Sequence, residues 1–454
     1  MNPSSLTTRT HALSIWQAGV DAVGSQRLVR DHVRIAGGRL HFGSHSVALE
    51  SFDRICIVGG GKAAGGLAVG LEQALAGIPQ PLSGWVNVPA DCVLPTNSIH
   101  LHPARPPGIN EPTEEAVGGT AEILRQVSQL GPRDLCIALI AGGGSALLPA
   151  PAGKITLADK LAVTRLLSHN GADIHQLNTV RKQLSRIKGG GLASACQAGQ
   201  LVSLIISDVL GDPLDVIASG PTVANTTTPA DALSILESFA NQPQQVPESV
   251  WQHLQSLCSQ AADSSPASST DCTTNVVLAN NATALEASAA TARQLGYTPI
   301  ILPTEFREAE AERVATQLLA AARQQVSESS SSPVCLLSGG EPVVQLAPAD
   351  VRGLGGRNQQ LILAALQAMT AEAAALGASI TFLSAGTDGE DGPTSAAGAV
   401  IWPDLIQTLA ATRMNLADYL QRNDAYTLFE SLGALVVTGP TQTNVCDVRV
   451  ILIA

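Results

Sequence analysis

Two apolar runs in the first third of the chain end in triple-glycine turns. Ile55-Cys56-Ile57-Val58 leads into Gly59-Gly60-Gly61-Lys62, and residues 135–141 lead into Gly142-Gly143-Gly144-Ser145. Residues 67–76 and 116–130 carry helical periodicity, and residues 85–88 and 201–206 read as further strands. Repeated strand–turn–helix units predict a parallel sheet with helices on both faces, a Rossmann-like α/β architecture. In such a sheet ligands bind at the carboxyl ends of the strands, where these glycine turns lie.

At 454 residues the chain is longer than one core usually supports, so two α/β domains are expected. Strand-like runs recur at 275–278, 334–337, 380–384 and 435–438, with helical patterns at 284–295, 308–325 and 359–376. The Ser/Thr/Ala-rich stretches 259–274 and 327–332 read as loops. The expected boundary is near 240, giving domains 1–240 and 241–454. A first helix over 8–23 suits either one.

The net charge of −12 argues against nucleic-acid or anionic-membrane binding. No apolar run is long enough to span a bilayer, and the first residues lack a signal-peptide pattern. The eight cysteines are at least 14 residues apart, which excludes CxxC and zinc-knuckle spacings and suits a reduced, cytoplasmic setting. The nine histidines form no zinc pattern. Oligomeric state is open between monomer and homodimer.

Lysine is scarce, five against 21 arginines, so Lys62 after three glycines asks for an explanation. A Walker A loop would need glycine at Cys56 and a hydroxyl at Ala63. A dinucleotide fingerprint, Gly59-x-Gly61-x-x-Ala64, would need an acid at the end of the next strand, which reads Asn87-Val88-Pro89. Both familiar motifs fail. What remains is an anion site: backbone N–H groups of Gly59, Gly60 and Gly61 at a helix start, with one ammonium. The second turn, Gly143-Gly144-Ser145, is not a hydrolase elbow, because residue 147 is Leu. Its hydroxyl and N–H groups suit a phosphate or carboxylate; a plain N-cap is the bland alternative.

Arg181, Lys182, Arg186 and Lys188 fall within eight positions of an acidic protein. Helical spacing would set Arg181 beside Ser185 and Lys182 beside Arg186, with part of this run contacting an anion. Asp208 closes the strand 201–206 and can hold Mg²⁺ or accept a hydroxyl proton; Asp212 and Asp215 read as turn residues. Further on, Gly340-Glu341 ends another strand as a candidate substrate- or phosphate-binding turn, and Arg357 opens a helix after a glycine loop, a position from which it can reach an anion. The loop 384–394 holds Asp388 and Asp391, which read equally as metal ligands or as Asx-turn formers.

Eight ordered segments, GGGKAAGGLA, AGGGSALLPAP, NTVRKQLSRIKGGGLA, SDVLGDPLDVIASGPT, SGGEPVV, GLGGRNQQL, SAGTDGEDGPTSAAGA and TGPTQTNVCDV, resemble the glycerate 2-kinase family. This family carries a C-terminal MOFRL region, here about 333–452, and is often mislabelled hydroxypyruvate reductase. The resemblance runs over residues 12–451. It implies ATP-dependent phosphorylation of D-glycerate to 2-phosphoglycerate with Mg²⁺, in a cleft between two α/β domains. It implies active-site roles for Lys62 and Arg357, and for Asp208 as the aspartate closing the SDV strand. One departure stands out: where many members have His-Pro-x-Pro-Asp-Glu, this chain reads His102-Pro-Ala-Arg-Pro-Pro-Gly-Ile-Asn-Glu111. Contacts near the acceptor are therefore expected to differ. The rivals are an NAD(P)H-dependent hydroxypyruvate reductase, which the missing ribose acid opposes, and a binding protein without turnover.

Overall fold

The computed structural model describes residues 3–109, 111–240, 243–261, 272–303, 309–327, 332–371, 380–412 and 414–453. The chain divides into two compact units, Ser25–Leu278 on the one hand and Met1–Gly24 with Ala279–Ala454 on the other.

The unit Ser25–Leu278 begins with a small antiparallel sheet of β1 (Val33–Ala36), β2 (Arg39–Phe42) and β3 (His45–Ala48). Its main sheet holds β4 (Arg54–Gly60), β5 (Leu82–Pro89), β6 (Ile99–Arg105), β7 (Asp134–Ile140), β8 (Gln200–Ile206) and β9 (Thr273–Ala279). The strand order is β6-β5-β4-β7-β8-β9, and β6 through β8 pair in parallel. This is the Rossmann order. All seven residues of β7 are buried, as a strand covered on both faces requires. The β7-to-β8 connection carries two capped helices. Thr156 and Asp159 form a capping box on Leu157–His169, and Asp173 and Gln176 another on Ile174–Gln183. These helices share an apolar cluster with Pro229–Phe239 and Glu248–Ala261 through Val163, Leu167, Val180, Leu236, Val250 and Leu254.

The other unit has a mixed sheet. Its strands are β10 (Thr298–Ile301), β11 (Val334–Gly340), β12 (Ile380–Gly386), β13 (Gly398–Ile401), β14 (Leu435–Val436) and β15 (Asp447–Ile453), ordered β10-β11-β15-β12-β13-β14. Only β10 and β11 pair in parallel; β15 lies antiparallel between β11 and β12. The first helix, Pro3–Ala22, belongs to this unit. Trp16 is buried there and its Nε1 donates to Ala385 O (3.2 Å). A Cβ on Gly19 would lie 2.5 Å from Ser288 Oγ, so the helix Asn281–Gln294 packs closely against it.

The α/β class and the two-unit organisation agree with the sequence; the boundary does not. A cut at 240 would divide the shared cluster of Pro229–Phe239 and Glu248–Ala261. It would also remove β9, the run expected in the second domain, from its place beside β8. Of the expected loops, 262–271 and 328–331 lie outside the described residues, as do the first residue of the expected helix 308–325 and residues 372–376 of the expected helix 359–376.

Candidate active site

β4 and β7 are neighbours whose onward connections diverge: β4 leads to β5 and β6, β7 to β8 and β9. Their carboxyl ends therefore form a topological switch point, where a parallel sheet opens a crevice for a ligand. Both triple-glycine turns lie there and are bonded together. Ala141 N donates to Gly60 O (3.4 Å), and Lys62 N donates to Gly142 O (2.9 Å).

These bonds change the role of the first turn. Gly60 is a ladder residue of β4, opposite both Asn87 and Ile140. Gly61 N donates to Asn87 O (3.2 Å). The expectation that N–H groups of this turn hold an anion is corrected for Gly61, whose N–H serves the sheet, while Gly59 and Gly60 are ladder residues of β4 and Lys62 N serves the facing turn. The glycines instead allow close approach. Gly59 has φ 142°, and a Cβ there would lie 2.0 Å from Leu139 O.

The second turn positions the charge. Gly143 has φ 75°, and a Cβ there would lie 3.5 Å from Lys62 Cγ and 4.0 Å from Arg105 Nη2. The side chains of Lys62 and Arg105 thus converge over Gly143. Arg105 is buried at the end of β6, and its Nη1 donates to Ile109 O. It belongs to the departing segment 102–111, and sequence reasoning did not single it out.

Ser145 is held by a lysine. Lys188, 5 % exposed, donates from Nζ to Ser145 Oγ (2.6 Å) and Ser145 O (3.1 Å). Ser145 Oγ lies 3.2 Å from Ser219 Oγ, and Ser219 Oγ donates to Asn178 Oδ1 (3.0 Å). Burial, with Lys160 and Arg181 adding their charges, holds the Lys188 ammonium well below the usual lysine range. Ser219 and its neighbour Ala218 take left-handed φ values of 63° and 50°, a strained pair at this site.

The basic run is reorganised relative to expectation. Its helix ends at Gln183, and Ser185 forms an isolated bridge with Pro151, so the expected i,i+4 pairs do not form. Lys182 is paired within the fold, its Nζ 3.2 Å from Asp215 Oδ2. Arg181 remains half-buried, its pKa lowered by burial. Asp208 stands half-buried two residues beyond β8, at the same sheet edge as Lys62 and Ser145. Asp212 takes φ 54°, as its reading as a turn residue requires.

In the other unit, Arg357 opens the helix Arg357–Ala371 and is clamped by acids. Its Nε donates to Asp447 Oδ2 (2.8 Å) and its Nη2 to Asp447 Oδ1 and Glu341 Oε1 (2.8 Å each). Against the opposing pull of burial, Asp447, Glu341 and Asp388 raise the Arg357 pKa well above its usual value. Glu341, expected to meet a substrate, meets Arg357. Asp447, fully buried, was missed by sequence reasoning. Gly340 O accepts from Arg449 Nη2 (3.1 Å).

Asp391 is a helix cap. It is 1 % exposed; its Oδ1 accepts from Asn358 N (3.0 Å) and its Oδ2 from Gln359 N (2.9 Å). This corrects the metal reading of Asp391, since both oxygens face the helix N-terminus. Asp388 Oδ1 accepts from Glu390 N (3.0 Å), the Asx-type contact that was the alternative. Among the described residues no group of three His, Cys, Asp or Glu is placed to hold a metal ion. No helix among them is long and apolar enough to cross a membrane.

Asn87 occupies the strand end where a dinucleotide fold keeps its ribose acid. It is fully buried and donates from Nδ2 to Leu147 O (2.8 Å) and Ala116 O (3.3 Å). It is neither acidic nor turned to a ligand.

Known proteins resemble the chain along most of its length. Residues 11–255 match the domain of unknown function DUF4147, and residues 334–447 match the MOFRL family. A glycerate kinase of Rattus norvegicus is 36% identical, with 88% of this chain and 84% of that protein covered. A protein of Agrobacterium vitis with a provisional hydroxypyruvate reductase name is 39% identical, covering 88% and 99%. The crystal structure of a Thermotoga maritima glycerate kinase superposes with a TM-score of 0.79 at 31% identity, covering 99% of this chain and 100% of that one. With both family domains in order and these relatives matched over most of both chains, this protein belongs to the DUF4147–MOFRL family of glycerate kinases.

Proposed function

We propose that this protein transfers the γ-phosphoryl group of ATP to the 2-hydroxyl of D-glycerate, giving 2-phosphoglycerate and ADP. The observation that carries the reading is the pair of glycine turns at the switch point, with Lys62 and Arg105 converging over Gly143. A crevice with two cations suits a phosphoryl group in transit, whose transfer needs positioning and charge neutralisation more than covalent help. The names of the relatives supply glycerate as acceptor. Asn87 in place of a ribose acid weighs against a nicotinamide reductase.

In this scheme the acceptor oxygen attacks the γ-phosphorus, the bond to the β–γ bridging oxygen breaks, and the hydroxyl proton passes to Asp208. Lys62 meets the charge on the transferring group. In the other unit, Asp447 and Glu341 keep the Arg357 guanidinium charged and fixed in direction, as the active-site role implied by the resemblance asks. Mg²⁺ would neutralise the ATP phosphates. Among the described residues no group of three His, Cys, Asp or Glu is placed to hold a metal ion, and an ion held chiefly by phosphates and water with one carboxylate does not need one.

The test is a pair of assays on the purified protein: ADP release from ATP and D-glycerate, and NADH oxidation with hydroxypyruvate. ADP release with a 2-phosphorylated product supports the reading. A 3-phosphorylated product refutes the regiochemistry, and NADH oxidation without ADP release refutes the kinase.

A further inference from the structure

Lys188 is bonded to the Ser145 turn, and the charges of Lys160 and Arg181 bear on it. Lys160 lies on the helix Leu157–His169, on the face it shares with buried Leu157 and Val163. It is 8 % exposed, and its Nζ has no hydrogen-bond partner. The charge that acts on it is Arg181; Lys160 and Arg181 in turn act on Lys188. Asn178, one turn before Arg181 on Ile174–Gln183, is 3 % exposed, and its Nδ2 also lacks a partner. Its Oδ1 is taken by Ser219, so the amide donor is what remains.

A buried ammonium without an acceptor is costly to keep, and like charges nearby raise the cost. The fold does supply a carboxylate to a lysine nearby, since Lys182 has Asp215. The charges that bear on Lys160 and Lys188 are cationic, Arg181 on the first and both Lys160 and Arg181 on the second. Burial and Arg181 pull the Lys160 ammonium down to about 8, as expected for a cation whose counter-ion has yet to arrive.

We infer that Lys160, Arg181 and Lys188, with Asn178 Nδ2 and the Ser145 hydroxyl, form the pocket for the carboxylate of the hydroxy-acid acceptor. The assignment rests on the kinase reading above. In a 2-hydroxy acid the carboxylate is one carbon from the reacting hydroxyl, so its pocket has to adjoin the phosphoryl site. Ser145 meets that demand: it follows directly on the turn over which Lys62 and Arg105 converge. The pocket presents donors only, which suits a carboxylate monoanion. Phosphate shares this chemistry and is separated from it by the experiment.

Full-length wild type and Lys160→Met are titrated calorimetrically with D-glycerate, with ATP, and with inorganic phosphate. Loss of one charge-assisted contact is expected to weaken D-glycerate roughly tenfold or more while ATP affinity holds. The thermal midpoint without ligand is expected to rise in Lys160→Met, because an unpartnered buried charge has gone; a structural lysine would give a fall. Arg181→Met, at a half-buried position, is the second variant and is expected to weaken D-glycerate likewise. Unchanged glycerate affinity in both variants overturns the pocket, as does a loss confined to ATP or phosphate. If the variants match a wild type that phosphorylates glycerate, the pocket alone fails. If the wild type neither binds nor phosphorylates glycerate, the kinase reading fails and the pocket with it.

Discussion

Asp391→Asn separates a capping role from a metal-binding one, and its effect can be worked out from the structure. The carboxylate is 1 % exposed and accepts N–H bonds from Asn358 and Gln359 at the start of Arg357–Ala371. Burial pushes its pKa up from 3.8 to about 7, outweighing the two N–H bonds and the nearby Arg357; Asp447 adds to the rise. Because the folded value lies above the unfolded one, the folded state holds the proton more tightly. The stability this provides is complete below about pH 4 and is lost as pH rises through 7. A shift of about three units corresponds to about 4 kcal/mol over that window. Asparagine cannot titrate, so urea unfolding of both proteins from pH 4.5 to 8 isolates the group. Wild-type stability relative to Asp391→Asn should fall by about 3 kcal/mol across this range, since part of the total is already lost by pH 4.5. A difference constant in pH, or one that grows with pH, would refute the reasoning, since the carboxylate would then be stably ionised. Mg²⁺ protection of wild type but not of the variant would restore the metal reading.

Lys62→Met should lower kcat by roughly a hundredfold or more with the urea midpoint preserved, because the loss falls on transition-state charge; retained turnover in the coupled assay would remove Lys62 from the mechanism. Asp447→Asn leaves the Arg357 guanidinium without its bidentate carboxylate and should cost about 3–5 kcal/mol, read by urea unfolding. Gly59→Ala should abolish folding, read by circular dichroism, because its Cβ would meet Leu139 O at 2.0 Å. Gly143→Ala has room for a Cβ but sits at φ 75°; it should cost about 1–2 kcal/mol and lower kcat by shifting the turn under Lys62.

The first sheet was legible because parallel strands covered on both faces are written as apolar runs. β4, β7 and β8 stand out in that way. β6 does not: Ile-His-Leu-His-Pro-Ala-Arg alternates and contains a proline. β15 hides its apolar stretch behind Asp447 and Arg449, whose charges are met by Arg357 and by Ser338, Gly339 and Gly340 on other elements. The assignment of β9 and of the helix Pro3–Ala22 to their units had no local signal at all. Each follows from pairing or packing with residues far away in the chain.

The site divides along the same line. Lys62 and Ser145 were legible because a turn dictates what stands at a strand end, and the turn is spelled in consecutive residues. Their partners were not. Asp447 reaches Arg357 across 90 positions, and Lys188 reaches Ser145 across 43. Arg105 and Lys160 read in sequence as ordinary solvated cations, one among prolines and one inside a capped helix. Burial alone distinguishes them, and burial is a property of the assembled sheet edge. The scarcity of lysine did carry information. Of five lysines, Lys62, Lys160 and Lys188 are bound up with this one edge, while Lys182 has its own carboxylate. A chain that spends lysine so sparingly, and buries Lys160 with its Nζ unbonded and other cations bearing on it, has built its positive charge for something that arrives from outside.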